Sequence, residues 1–226
     1  MKKSHVEPKR TYKQFCPLAR SLDILGERWT LLIVRNLLVG PQRYKDLLDG
    51  LPGIGTNLLA ARLKELEKEG IIRRRTLPPP AGSTVYELTE LGWGLEEPIH
   101  VFARWGIWTL RQDSPEDEFR PRWGATGLGI IFRPEAAAGV HETYEVRIDG
   151  EVFTARVDDG MLEIVQGAAR DPDLVMSCDS ATWRAMSSSL TPANALTTGR
   201  LKIEGNPAAV GHFARMFRPP NVRTES

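Results

Sequence analysis

The spacing of apolar residues changes partway along this chain, and the change limits what it can fold into. Up to Leu110 they recur at steps of three and four, the period of one helix face. From Tyr144 they alternate with polar residues, as on a strand buried on one side. At about 150 residues per domain, 226 residues allow one large or two small domains, and either buries a core without disulfides. Charge favours two. Up to Leu110 there are 17 Lys and Arg against 12 Asp and Glu, and from Arg111 there are 13 against 17. Such asymmetry suits a basic nucleic-acid module joined to a differently employed partner. A polar acidic stretch, Gln112-Asp113-Ser114-Pro115-Glu116-Asp117-Glu118, punctuates the boundary. The expected division is 1–111, a linker over 112–123, and 124–220.

Several function classes find no support. Cys16 and Cys178 form no CxxC pair, which argues against a disulfide framework or a cysteine-rich zinc module and suits a reducing cytoplasm. The basic start is not followed by an apolar stretch, and no run approaches the ~18 residues of a membrane span, so neither signal peptide nor membrane partner is expected. His5, His100, His141 and His212 are dispersed, without metal-ligand spacing. Walker, HExxH and GxSxG motifs are absent, and the glycines from Gly124 to Gly129 run GxxGxG, the wrong order for a dinucleotide loop. Asp158-Asp159 sits in a turn signal, and Ser187-Ser188-Ser189 has no base nearby in sequence. The expectation is a non-enzyme without cofactor or metal.

In the first region, an apolar helical segment leads from Ser21 through Trp29 to Leu38 and stops at Gly40-Pro41. A short helix over Arg43–Leu51, a Pro/Gly turn and a helix from Asn57 to Glu69 follow, with Thr56 as the expected cap. Leu59, Leu63 and Leu66 share a core-facing stripe, while Asn57, Ala61, Arg62, Lys64 and Glu65 lie opposite. Two β-like runs flank Pro78–Ser83 and predict a hairpin with a long tip. Arg73 and Arg75, two apart, share one of its faces. A further helical region, interrupted near Pro98, carries Trp93, Phe102, Trp105, Ile107, Trp108 and Leu110. Helix, turn, helix and basic hairpin, in that order, predict a winged helix-turn-helix, whose second helix fits a major groove while wing arginines meet phosphate or minor groove.

The residues Cys16-Pro17-Leu18, Leu25-Gly26-Glu27-Arg28-Trp29, Arg43-Tyr44-Lys45-Asp46-Leu47, Ile54-Gly55-Thr56-Asn57-Leu58-Leu59, Arg62–Glu67, Gly70-Ile71-Ile72 and Tyr86-Glu87-Leu88-Thr89 with Gly92 resemble the HxlR family of winged-helix regulators. The resemblance spans roughly Phe15 to Leu110. It implies a bacterial homodimer on a pseudo-palindromic operator, with Asn57–Lys64 in the major groove and Arg73–Tyr86 as the wing. It also implies a dimer seam from Trp93–Leu110 and the amino-terminal helix; the same apolar residues could instead line an internal core or the interface with the second domain. Candidate DNA contacts are Arg43, Thr56, Asn57, Ala61, Arg62, Lys64, Arg73 and Arg75, with Asn57 and Arg62 reading bases. In some members of that family a cysteine at the position of Cys16 senses oxidants or electrophiles. The other reading is a small side chain at a helix start, favoured because Cys178 is no evident resolving partner.

In the second region three strands around Asp149-Gly150 and Asp158-Asp159-Gly160 form a meander. Gly127–Phe132 and Leu174–Cys178 are expected strands, and helices after Asp179, over Pro192–Thr198 and after Asn206 surround a last strand at Leu201–Gly205. This predicts α+β, an antiparallel sheet with helices on one face. The segments around Ile148-Asp149-Gly150, Asp173–Asp179 with Trp183, and Gly199–Pro207 resemble the sterol-carrier-protein domain over roughly Gly124 to Arg218. That family encloses an apolar tunnel, for which Ile130, Phe132, Trp183, Met186, Leu190, Phe213, Met216 and Phe217 are the candidate lining; a filled core would need the same residues. The combined expectation is a DNA-binding transcriptional regulator whose second domain either binds a controlling hydrophobic small molecule or packs as an inert partner. The alternative is a lipid or small-molecule carrier whose winged helix docks proteins.

Overall fold

A computed structural model of the chain describes residues 11–79, 82–107, 117–187 and 190–218. The readings made above on His5, Trp108, Leu110, Gln112–Glu116, Ser188 and Ser189 lie outside these residues.

The first region opens with α1 (Pro17–Leu25) and α2 (Thr30–Leu37). The expected helix through Trp29 is therefore two helices. Gly26 caps the first, and Trp29 adopts a left-handed φ of 81° that no α-helix accommodates. Then come α3 (Tyr44–Asp49), α4 (Thr56–Lys68), and the antiparallel hairpin of β1 (Ile72–Thr76) and β2 (Thr84–Leu88). Leu59, Leu63 and Leu66 of α4 are buried with Ile33, Leu37, Leu47 and Ile72, so the leucine stripe faces the core as its spacing requires. After α5 (Glu90–Trp93), α6 (Glu96–Ile107) runs straight through Pro98. Proline is tolerated in a first turn, where its missing N–H would lack a partner anyway, and the break falls at Gly94-Leu95 instead.

Gly127–Phe132 is not a strand. It is the end of α7 (Pro121–Ile131), with Phe132 extended just beyond it. A short apolar run does not distinguish strand from buried helix, and here the small residues decide. Gly124, Ala125 and Gly129 bring α7 close to its neighbours; a Cβ on Gly129 would collide with the His100 ring.

The remaining elements are β3 (His141–Ile148), β4 (Glu151–Asp158), β5 (Met161–Gln166), β6 (Leu174–Cys178), α8 (Ser180–Met186), α9 (Pro192–Thr197), β7 (Lys202–Gly205) and α10 (Pro207–Met216). Asp149-Gly150 and Asp159-Gly160 all have positive φ, the type I′ signature whose twist suits two-residue hairpins. Strand order is β5-β4-β3-β6-β7. The sheet is mixed rather than wholly antiparallel, because the chain leaves the β5 edge and re-enters beside β3, where β6 pairs in parallel. Asp179 and Asn206 cap α8 and α10 through their side chains, as expected, and Thr191 does the same for α9.

Two main cores result, one in each region. Joining them is α7, which packs against α2, α6 and the sheet. Val39, Ala125 and Phe153 form a small buried cluster there. Around it the Gln166 amide donates to the Val39 carbonyl at 3.2 Å, and the Arg35 guanidinium lies 4.6 Å over the Trp123 ring.

Candidate nucleic-acid interface

The surface that suits DNA is built on α4 and the wing. Gly55, not Thr56, is the N-cap of α4, and its backbone is extended without a side-chain cap. Thr56 is the first helical residue, so the first turn presents backbone amides that glycine does not cover, a disposition that favours phosphate. Thr56 holds the helix in another way, since its carbonyl accepts a 2.7 Å hydrogen bond from the Tyr44 hydroxyl of α3.

Asn57, Ala61 and Lys64 are exposed on the side away from Leu59, Leu63 and Leu66, and Thr56 is exposed at the helix start. Lys64 makes no ion pair among the described residues. Arg62 is placed differently. Its guanidinium bonds Glu65 at 2.6 Å and Glu27 at 3.1 Å, its side chain is 19% exposed, and its Nε is buried without a partner. The residue expected to read a base is held against the domain by two carboxylates. Arg43 is exposed at the start of α3.

Register explains the wing. Arg73 faces Glu87 across the hairpin, and both Arg73 and Arg75 donate from Nε to the two Glu87 oxygens at 2.8 Å. Burial would raise the Glu87 pKa, but the hydrogen bonds from Arg75 and Arg73 outweigh it and hold it below the ordinary carboxylate value. One carboxylate thus aligns two arginines whose side chains are 66% and 45% exposed. Arg74 turns the other way and bonds Glu67 of α4 at 2.9 Å, bracing the wing against the helix. A backbone bridge between Gln42 and Tyr86 ties the wing to the start of α3. The reading from residue spacing missed Glu27, Glu67 and Glu87; only the Arg73–Glu87 pairing had a trace in sequence, as an acid opposite a base in a hairpin.

Cys16 is the N-cap of α1, half-buried and without a side-chain cap bond. Arg20, the cation four residues on, pairs with Asp23 at 3.8 Å. Cys178 lies in β6, and burial, with Asp179 and Asp149 adding to it, pushes its thiol up to about 11.

The candidate tunnel residues divide. Met216 and Phe217 are fully in the core, while Phe132, Trp183, Met186, Leu190 and Phe213 pack at its margin. Phe213 and Phe217 have ring centroids 4.3 Å apart, and Phe132 lies 5.4 Å from Phe217. Ile130, on the α7 turn that sequence read as a strand, is half-buried outside this cluster, and its carbonyl faces Arg104 at 3.4 Å.

Two further facts concern surfaces. Phe15, Leu18 and Leu22 on or beside α1, and Val101, Phe102 and Trp105 on α6, are exposed, with Phe102 and Trp105 stacked at 5.8 Å. Among the described residues no helix is long and apolar enough to cross a membrane.

Residues 24–114 match the HxlR-like helix-turn-helix family, and residues 133–218 match the SCP-2 sterol transfer family. The HTH-type transcriptional regulator YodB of Bacillus subtilis is 38% identical over 91 residues, covering 40% of this chain and 81% of that protein. An uncharacterised HTH-type transcriptional regulator of Synechocystis, sll1512, is 33% identical over 116 residues, covering 51% and 86%. The solved reduced form of YodB aligns over 45% of this chain and all of its own, at 34% identity and a TM-score of 0.39.

Proposed function

This chain belongs to the HxlR-like helix-turn-helix family of DNA-binding transcriptional regulators, and we propose that it acts as a cytoplasmic, non-enzymatic homodimer on an operator. One observation carries the reading: an exposed α4 face of Asn57, Ala61 and Lys64 stands beside a wing whose Arg73 and Arg75 are aligned by Glu87. Asn57 is proposed to read bases, while Arg43, Lys64, Arg73 and Arg75 neutralise phosphates. The exposed apolar strips on α1 and α6 support a dimer seam there. The two regions are proposed to act as separate units joined through α7, the first binding DNA and the second housing the controlling ligand. The SCP-2 match supports a hydrophobic effector near Trp183, Met186, Leu190 and Phe213. Such a ligand shifts operator affinity only by its differential binding to two dimer geometries, typically ~1–3 kcal/mol.

The test is fluorescence anisotropy with DNA from upstream of the protein's own coding region, against scrambled DNA of equal length, at two salt concentrations. Tight, salt-sensitive preference for the native DNA is expected. Equal, weak binding to both, together with hydrophobic ligand retained through purification, would instead support the carrier reading.

A further inference from the structure

A cleft of about 390 Å³ lies between α6 and the second region, apart from the DNA-facing surface and at the margin of the second region's apolar core. That volume is at the small end of the ~300–1,000 Å³ range of ligand sites. Glu96, His100 and Arg104 of α6 line one side, and Phe132, Arg133 and Leu162 line the other, with the exposed Glu135 at its edge. His100 forms part of the wall under Gly129, whose lack of a side chain lets α7 close onto the imidazole.

What distinguishes the cleft is the set of polar groups left without partners. Glu97 and Arg104 satisfy each other at 2.6 Å. His100 is only 8% exposed, yet neither ring nitrogen makes a hydrogen bond among the described residues. Glu96 has no counter-cation there. Burial and then repulsion from Glu97 raise its pKa, the response of a carboxyl that lacks one. Arg133, on the opposite wall, makes no side-chain hydrogen bond or ion pair among the described residues. A half-buried carboxyl and a guanidinium, both unpaired and facing one cavity, each carry desolvation cost that a molecule with both charges would offset.

We propose that this cleft binds an amino-acid-sized zwitterion, with its ammonium against Glu96, its carboxylate against Arg133, a hydrogen bond from His100, and its side chain along Phe132 and Leu162. The ligand would bridge α6 to the second region and so fix how the two sit together. The site itself does not require the DNA-binding reading; only its regulatory consequence rests on that reading.

Isothermal titration of the full chain with each of the common L-amino acids tests the proposal. Saturable one-to-one binding of at least one is expected, weakened about tenfold or more in its N-acetylated and its amidated form, each of which lacks one charge. Glu96→Gln and Arg133→Gln should each weaken it similarly without lowering the melting temperature of the ligand-free protein, since each removes a charge that has no partner there. Two results would overturn the site: no amino acid binding up to millimolar concentration, or binding indifferent to loss of either ligand charge and to both substitutions. Operator anisotropy on the same preparation without amino acid reports separately on DNA binding, so the failure of one reading is not mistaken for failure of the other.

Discussion

Asn57 and Lys64 leave the same exposed face of α4, and the proposed DNA-binding role gives them different work. An amide pairs with a base edge, whereas an ammonium meets phosphate as a point charge. Asn57→Ala is expected to cost ~1–3 kcal/mol on the operator and almost nothing on random DNA. Lys64→Ala should weaken both alike and flatten the salt slope by about 0.9, readable by anisotropy across a salt series. His100 supplies a pH prediction. Burial lowers its pKa below the ordinary 6.5, Glu97 opposes the shift, and Arg104 adds to it. On acidification the unfolded chain takes up this proton first. The stability His100 contributes is therefore complete above about pH 6.5 and lost as pH falls through the depressed folded value. Urea unfolding of His100→Gln at several pH values should show a shallower acid-side loss than the parent protein.

Glycines in two helices show what elements ask of one another. Gly92 of α5 lies against the Ile71 carbonyl, and a Cβ there would collide with backbone that has little room to yield. Gly92→Ala should cost ~1–3 kcal/mol through overpacking and lower the melting temperature. Gly127 of α7 has open space where its Cβ would stand, so Gly127→Ala should stabilise the protein by ~0.5–1 kcal/mol through helix propensity alone. Calorimetry of both variants separates the two roles. The wing obeys similar logic, since Glu87 on β2 and Glu67 on α4 orient three consecutive arginines to opposite sides of β1.

At the scale of the molecule, the meeting of the two regions and the proposed dimer seam each rest on aromatic side chains. Phe153 is fully buried with Val39 and Ala125 where the regions meet. Phe153→Ala should cost ~3–5 kcal/mol, a large share of the ~5–15 kcal/mol that holds a domain folded, and calorimetry should show the second region melting earlier than the first. Trp105 is 61% exposed and stacked on Phe102. If these rings form the dimer seam, Trp105→Glu places a charge in an apolar contact. Sedimentation velocity should then report a monomer, and operator affinity should fall because half-sites are no longer bound together.

Local pattern alone determined much of this protein. Leu59, Leu63 and Leu66 turn inward because a helix repeats every 3.6 residues, and Asp149-Gly150 and Asp159-Gly160 close hairpins because those residues accept positive φ. The exposed face of α4 and the shared face of Arg73 and Arg75 were legible for the same reason. Tertiary structure decided what depends on partners distant in sequence. Arg62 and Glu27 lie 35 positions apart, and nothing local says that their ion pair takes this arginine toward the domain. Whether Gly127–Phe132 became strand or helix rested on what α7 packs against, because a short apolar run satisfies either geometry. The parallel placement of β6 beside β3 and the cleft at His100 have the same origin. Both arise where separate segments meet, and the free energy of meeting is not written in the periodicity of either.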